Sequence, residues 1–188
     1  MSATALTGAL TKFDASASTG AIKADIQSTK AVTVMTGSGA DVIDMDTAVQ
    51  AKSSVSLGAG DDKLYVGALL DKFDAGVNGG DGTDIINITD GSKLTSTTAK
   101  YITNFETLDV SGGTGSYDTS LNSFATVQVD EAINGKLAGD VTFANTVDTF
   151  TLNLASKTGT NADFDVTKNT TVTLKDAAGT TALSTAET

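Results

Sequence analysis

The chain has 188 residues with 12 basic and 23 acidic side chains, giving a formal net charge of −11, and it contains no Cys, His, Trp or Pro. This charge excludes the cationic footprint that nucleic-acid and phosphate binding need, and the absent Cys and His exclude disulfides, thiolate zinc sites and Ser-His catalysis, so we expect no enzyme. All basic residues are Lys and nearly all acidic ones are Asp, a composition that suits turns and the binding of a hard divalent cation.

The first predicted coil covers residues 11–35. Short strands are predicted in the stretch from Phe13 to Ile22 and over Val32–Val34, with a glycine turn between them. No apolar run in the chain approaches the length of a membrane span, so we expect no membrane-spanning segment.

A glycine- and aspartate-rich motif then recurs three times in register. We call residues 36–41, 57–62 and 79–84 the first, second and third motif loops; their sequences are Thr-Gly-Ser-Gly-Ala-Asp, Leu-Gly-Ala-Gly-Asp-Asp and Gly-Gly-Asp-Gly-Thr-Asp. Each loop closes on an Asp, so equivalent positions recur at a nearly constant interval. A fixed interval of this size is typical of a solenoid, in which each repeat forms one coil.

Apolar residues flank the three loops at matching offsets. One column precedes the loops and two follow them; the three columns are Val34, Val55 and Val77, then Ile43, Leu64 and Ile86, then Met45, Val66 and Ile88. Alternation of apolar residues marks half-buried strands, and stacked coils bury their apolar faces against one another. The pattern predicts an all-β fold, a right-handed parallel β-helix or β-roll with about 21 residues per coil.

The motif loops are predicted to bind Ca²⁺ between adjacent coils. Alternate glycines let carbonyl groups turn inward, and loops at strand spacing together offer about six oxygens, which suits Ca²⁺ better than Mg²⁺. We place one site between 37–41 and 58–62 and another between 58–62 and 79–84. The candidate metal-site residues are Gly37, Gly39, Asp41, Gly58, Gly60, Asp61, Asp62, Gly80, Asp81, Gly82 and Asp84. The alternative interpretation is three glycine-rich turns that hold no metal.

Beyond the third loop the pattern becomes less regular. A polar insertion with one short helix is predicted between Ile88 and Phe105, and residues 112–118, which imitate the motif, are predicted to form a plain turn. Further strands are predicted over 107–110, 126–129, 141–143, 150–154, 164–166 and 172–174. We expect residues 1–110 to form the motif-bearing solenoid and 111–188 to continue it. A separate β-sandwich after about residue 110 is the alternative.

Four blocks of the sequence resemble the crystalline surface-layer proteins of Gram-negative bacteria that carry repeats-in-toxin motifs. The blocks are residues 35–43, 56–62, 77–85 and 102–110, and their order and spacing match that family as well as each block does. The upstream stretch 13–22 also resembles segments common in such proteins and in large secreted adhesins. The resemblance covers about two thirds of the chain.

The resemblance implies an extracellular structural protein at the bacterial cell surface. Such proteins leave the cell by type I secretion, fold where calcium is plentiful, and self-associate into a two-dimensional lattice anchored to lipopolysaccharide. This chain has neither a long motif array nor a recognisable anchor domain, so we expect the secretion signal and the lipopolysaccharide contacts to lie outside this fragment.

Two other functions compete with a calcium-driven lattice module. The same scaffold could serve as a calcium-stabilised adhesin or ligand-binding module, or as the β-roll appendage of a type I-secreted protease or lipase whose active site lies elsewhere. Formation of an ordered array on calcium addition separates the first function from the second. The length of the parent gene and its carboxy-terminal residues would identify the third.

Overall fold

Every strand pairing among the described residues is parallel, as the predicted solenoid requires. The structure, a computed structural model, describes residues 5–122, 124, 126–129, 141–144, 149–154, 164–166 and 171–175. Its coils advance by about 21 residues each, which confirms the predicted all-β parallel solenoid.

Seventeen described strands form three parallel sheets. The nine-stranded sheet contains β1 (Leu6–Gly8), β3 (Lys23–Ser28), β5 (Val42–Asp44), β7 (Lys63–Gly67), β9 (Ile85–Ile88), β11 (Thr107–Asp109), β13 (Thr126–Val129), β15 (Thr149–Leu154) and β17 (Thr171–Lys175). The five-stranded sheet contains β2 (Lys12–Asp14), β4 (Thr33–Met35), β6 (Ser54–Ser56), β8 (Val77–Asn78) and β10 (Ile102–Thr103). The three-stranded sheet contains β12 (Gly115–Asp118), β14 (Val141–Ala144) and β16 (Phe164–Val166).

Each early coil passes from the five-stranded sheet to the nine-stranded sheet through one motif loop. The first loop joins β4 to β5, the second joins β6 to β7, and the third joins β8 to β9. Because successive strands pair directly in both sheets, the loops between them also lie one above another. The repeated position of the loops in the chain therefore becomes a stack in space.

The predicted apolar columns form the core between the sheets. Val34, Val55 and Val77 are register partners in the five-stranded sheet, and Ile43, Leu64 and Ile86 are partners in the nine-stranded sheet; all six are buried. Burial of a side chain of this size contributes about 1.5–3 kcal/mol, so the two ladders stabilise the stacking of the coils.

The third apolar column departs from strict register. Met45, Val66 and Ile88 are all buried, but a β-bulge between Tyr65 and Gly67 pairs Ile88 with Gly67 instead of Val66. A bulge adds one residue to one strand. All three side chains of the column are therefore buried, although Ile88 pairs one residue further along β7 than strict register would place it.

The predicted polar insertion contains two short 3₁₀ helices, Gly91–Lys93 and Ala99–Tyr101. Two further 3₁₀ segments, Leu70–Lys72 and Thr119–Leu121, lie elsewhere in the described chain. None of the helices among the described residues is long and apolar enough to cross a membrane.

The segment from residue 112 to 118 differs from the predicted plain turn. Its second half is β12, which pairs with β14, and Tyr117 is fully buried with its hydroxyl donating to the carbonyl of Ile88 at 2.8 Å. A large aromatic residue needs both an apolar contact and a hydrogen-bond partner when buried. Tyr117 meets both needs at this position, and so the segment becomes a strand.

The described strands after residue 110 continue the parallel pairing. β11 pairs with β13, β13 with β15, and β15 with β17, whereas a sandwich built from hairpins would show antiparallel pairs. Whether 1–110 and 111–188 fold as separate units stays a prediction.

Candidate calcium site

The three motif loops lie directly over one another at the edge between the two larger sheets. The amide of Ala59 donates to the carbonyl of Gly37 at 2.8 Å, which joins the first loop to the second. Asp81 joins the second loop to the third, because its amide donates to Gly58 at 2.9 Å and its carbonyl accepts from Gly60 at 2.8 Å. The predicted superposition of the loops is therefore present in the backbone.

The closing carboxylates of the loops form a ladder that runs along the solenoid. Oδ1 of Asp62 accepts from the amide of Asp41 at 2.7 Å, and Oδ1 of Asp84 accepts from the amide of Asp62 at 2.8 Å. Oδ1 of Asp41 accepts in turn from the amide of Ile22, at 2.7 Å. Each carboxylate thus accepts a hydrogen bond from the backbone of the preceding coil, which sets the distance between its own loop and that coil.

The second oxygen of each ladder carboxylate is buried without a partner. Asp41, Asp62 and Asp84 are each 0% exposed, and their Oδ2 atoms have no hydrogen-bond partner. A buried acceptor left unsatisfied costs about 1–3 kcal/mol, and more when it is charged. Three such atoms in successive coils are what a cation bound between the loops would satisfy.

Close packing of the glycine backbones sets the spacing of the loops. A Cβ atom at Gly58 would overlap the carbonyl oxygen of Gly37, and one at Gly80 would overlap that of Gly58. Both glycines also have positive φ, of 95° and 112°, a conformation that other residues adopt at a cost. Glycine is therefore required at these two positions for the loops to approach one another.

Backbone carbonyl groups add oxygen atoms to the same gaps. The carbonyl oxygen of Gly39 lies against Gly60, and that of Gly60 lies against Gly82. Among the described residues, neither of these two oxygens accepts a hydrogen bond. The second glycine of a motif loop therefore presents a carbonyl oxygen toward the next coil.

The electrostatics of the ladder disfavour bare carboxylates. Burial is the main reason why the pKa of Asp62 is raised to about 6; the charges of Asp84, Asp41 and Asp61 act in the same direction, and the hydrogen bond from the Asp41 amide acts against them. Burial also raises the pKa of Asp84, with additional contributions from Glu106, Asp61 and Asp81. The ladder is thus a column of negative charge that a divalent cation would neutralise.

The two additional aspartates of the loops lie at the exposed tips. Asp61 and Asp81 are both exposed, whereas the ladder carboxylates are buried. Oδ1 of Asp61 accepts from the amide of Thr83 at 2.9 Å, which makes a further link between the second and third loops. The structure therefore separates the candidate residues into an inner carboxylate ladder and an outer pair that adds negative potential.

The stack extends one rung beyond the motif loops at each end. On the amino-terminal side, the amide of Ser38 donates to the carbonyl of Ser18, and Gly39 packs on Gly20. This rung carries Ile22 where the later ones carry Asp. On the carboxy-terminal side, Oε2 of Glu106 accepts from the amide of Asp84 at 2.8 Å, as the Asp carboxylates do below it. Neither rung contains the motif, so the sequence pattern missed both.

The available donors fit calcium by their chemistry. They are carboxylate and carbonyl oxygens, the ligands that Ca²⁺ takes in sets of six to eight. No three acidic side chains in the described part of the chain converge as a metal cluster. An ion between two loops would therefore be held by ladder carboxylates together with carbonyl oxygens of the glycines; that these residues bind calcium stays a prediction.

Comparison with known protein families, curated proteins and solved structures finds no match to this chain. The geometry of the loop stack and the sequence motif therefore carry the evidence for function.

Proposed function

We propose that this chain is a non-enzymatic structural module that binds Ca²⁺ between its stacked motif loops and that requires the ion for full stability. The observation that carries the proposal is the column of three fully buried carboxylates whose Oδ2 atoms lack partners. One ion would lie between the first and second loops and another between the second and third. Asp62 borders both gaps.

The coupling between calcium and folding follows from the charge of the ladder. Without a cation, folding brings three carboxylates into a buried column, and the raised pKa of Asp62 and of Asp84 reflects that burial. With calcium bound, the same carboxylates become ligands, and the free energy of binding adds to the free energy of folding. A calcium-poor compartment would keep the chain less stable than a calcium-rich one.

A thermal melt with and without calcium tests the proposal. At a free calcium concentration of about one hundred times Kd, each site contributes about 2.7 kcal/mol. Two sites would therefore raise Tm by roughly 10–20 °C for a domain of this size. Equal melting curves in excess calcium and in excess chelator would defeat the proposal.

Two controls make the melt specific. Magnesium at the same concentration should give a much smaller shift, because it demands a tight octahedron and releases its waters reluctantly. A variant in which Asp41, Asp62 and Asp84 are all replaced by Asn should keep the fold in chelator and lose the calcium response. Asn preserves the shape of the side chain and one oxygen for the amide hydrogen bond while it removes the charge.

We further propose that the module belongs to a secreted bacterial surface-layer protein that self-associates into a lattice. The support for this part is the resemblance of blocks 35–43, 56–62, 77–85 and 102–110 to that family. Electron microscopy of the full-length protein before and after calcium addition tests it. An ordered two-dimensional array is the expected result, and dispersed particles in calcium would contradict it.

A second candidate function is ligand binding at the outer face of the five-stranded sheet. A cleft of about 400 Å³ lies there, lined in part by Ser54, Asn78, Lys100, Tyr101 and Thr103. The Nζ atom of Lys100 lies 4.9 Å from the centre of the Tyr101 ring. An aromatic ring beside hydroxyl and amide groups suits a neutral polar ligand such as a saccharide.

A glycan array with the wild-type protein and a Tyr101→Ala variant tests this second function. Binding to a defined set of glycans that the variant loses would favour the ligand-binding module. Absence of binding by the wild type would contradict the ligand-binding function and would not affect the proposed structural function.

A further inference from the structure

The carboxylate ladder does not stop at the last motif aspartate. Glu106 follows the third loop by one coil, and its Oε2 accepts from the amide of Asp84 at 2.8 Å. The two preceding steps of the ladder have the same arrangement, with distances of 2.7 and 2.8 Å. Glu106 therefore occupies the position of a fourth ladder carboxylate, although no glycine motif precedes it.

The segment that carries Glu106 is shorter than the motif loops. Only residues 104–106 connect β10 to β11, and Asn104 turns the chain with a φ of 55°. Glu106 is exposed at the end of this segment. A glutamate side chain is one methylene longer than an aspartate, which lets the carboxylate reach the Asp84 amide from a shorter connection.

Oxygen atoms converge in the gap between the third loop and this segment. A Cβ atom built on Gly79 would overlap the carbonyl oxygen of Asn104 and would stand 2.5 Å from Oδ2 of Asp84. These two oxygens thus both border the space that the missing side chain of Gly79 leaves. Oδ2 of Asp84 has no hydrogen-bond partner and belongs to a residue that is 0% exposed.

The convergence also explains a difference between the three motif loops. The first position is Thr36 in the first loop, Leu57 in the second and Gly79 in the third. Thr36 and Leu57 are buried, and the next coil after each of their loops carries another motif loop, whereas the backbone of Gly79 packs against the carbonyl oxygen of Asn104 in the short segment. Glycine at this position leaves room for the Asn104 carbonyl to enter the gap.

We propose that a third Ca²⁺ site lies between the third motif loop and residues 104–106. Asp84 supplies the buried carboxylate, Glu106 the exposed one, and Asn104 a carbonyl oxygen. The proposal rests on the proposed calcium function of the stack and extends it by one ion. Because Glu106 is exposed and the segment supplies fewer carbonyl groups, this site binds more weakly than the two between motif loops.

Calcium stoichiometry of the intact chain tests the proposal. Wild type, Glu106→Gln and Asp118→Asn are each equilibrated by dialysis in calcium, and bound calcium is measured by mass spectrometry of the native protein and by elemental analysis. Gln keeps an oxygen that can accept from the Asp84 amide, so the fold is preserved. Asp118, in the segment that imitates the motif, serves as a control for removing one negative charge elsewhere.

The expected result is three ions for the wild type, three for Asp118→Asn and two for Glu106→Gln, with the two tighter sites unchanged. The same number of ions in Glu106→Gln as in the wild type overturns the third site and leaves the two-site function intact. A wild type that binds no calcium overturns the proposed function itself, and the third site with it.

Discussion

Alanine substitutions at Gly76 and Gly80 isolate the contribution of loop stacking to stability. The two glycines lie four residues apart and have nearly the same positive φ, of 106° and 112°. A Cβ atom at Gly76 would stand 3.8 Å from the nearest atom, the carbonyl oxygen of Tyr101, which is ordinary contact. A Cβ atom at Gly80 would lie 2.8 Å from the carbonyl carbon of Gly58 and would overlap its oxygen.

The difference between the two variants follows from these contacts. The strained backbone conformation costs about 1–3 kcal/mol in each, and the lower entropy of the unfolded alanine chain is common to both. In Gly80→Ala the second and third loops must also separate, which breaks the two hydrogen bonds between Asp81 and the second loop. At about 1 kcal/mol each, these bonds make Gly80→Ala less stable than Gly76→Ala by about 2 kcal/mol.

Urea unfolding of both variants in chelator measures the difference. We expect similar m values, since the same surface is exposed on unfolding, and a lower midpoint for Gly80→Ala. Calcium should raise the urea midpoint of Gly76→Ala toward that of the wild type. It should raise the midpoint of Gly80→Ala much less, because in that variant the second and third loops no longer meet around the ion. Variants that unfold at the same midpoint would refute the argument that the loops pack at van der Waals distance.

Three further changes probe the ladder and the core. Asp62→Asn should raise the melting temperature in chelator, because a desolvated charge is removed, and should abolish most of the stabilisation by calcium. Asp41→Asn should lose less of that stabilisation, because Asp41 borders only one of the two gaps between motif loops. A larger loss in Asp41→Asn than in Asp62→Asn in calcium titrations would contradict this. Burial raises the pKa of Asp62 and of Asp44 to about 6 in the folded chain, so the folded state binds more protons than the unfolded state, and without calcium the stability should fall as pH rises from about 4 to 7. Calcium stabilisation should grow over the same range, since the ion binds ionised carboxylates; chemical denaturation at pH 4.5 and pH 7 checks both trends, and a calcium-free midpoint that increases with pH would count against them. Leu64→Ala should cost about 2–5 kcal/mol with or without calcium, because it opens a cavity in the ladder of buried side chains; a cost below 1 kcal/mol in denaturant unfolding would mean that the coil interior is loosely packed.

The regular part of the fold could be predicted from the sequence because its signal is local and repeated. The columns through Val55 and Leu64 recur once per coil, and the structure confirms both as register partners. The strand β12 was missed because three glycines precede Tyr117 within five residues and hide the alternation that marks a strand. The bulge at Tyr65 was missed because an extra residue within one strand changes alignment without changing which residues are apolar.

The rungs at the ends of the loop stack could not be predicted from a motif. Ser18 and Gly20 join the stack although Ile22 replaces the aspartate, and Glu106 joins it with no glycine before it. The one signal for Glu106 in the sequence is its distance of one coil from Asp84, and that interval has meaning only after the coil length is established.

The sequence by itself determined the coil length, the inward-facing residues and the glycine loops with their closing aspartates, because each of these follows from a short local pattern that repeats along the chain. Only the tertiary structure decided which oxygen of each carboxylate accepts a hydrogen bond and which is buried without a partner. Oδ1 of Asp62 accepts from an amide 21 residues away in the chain, and Oδ2 is buried without a partner. Burial without a partner arises from stacking, so it appears only when the coils are placed over one another.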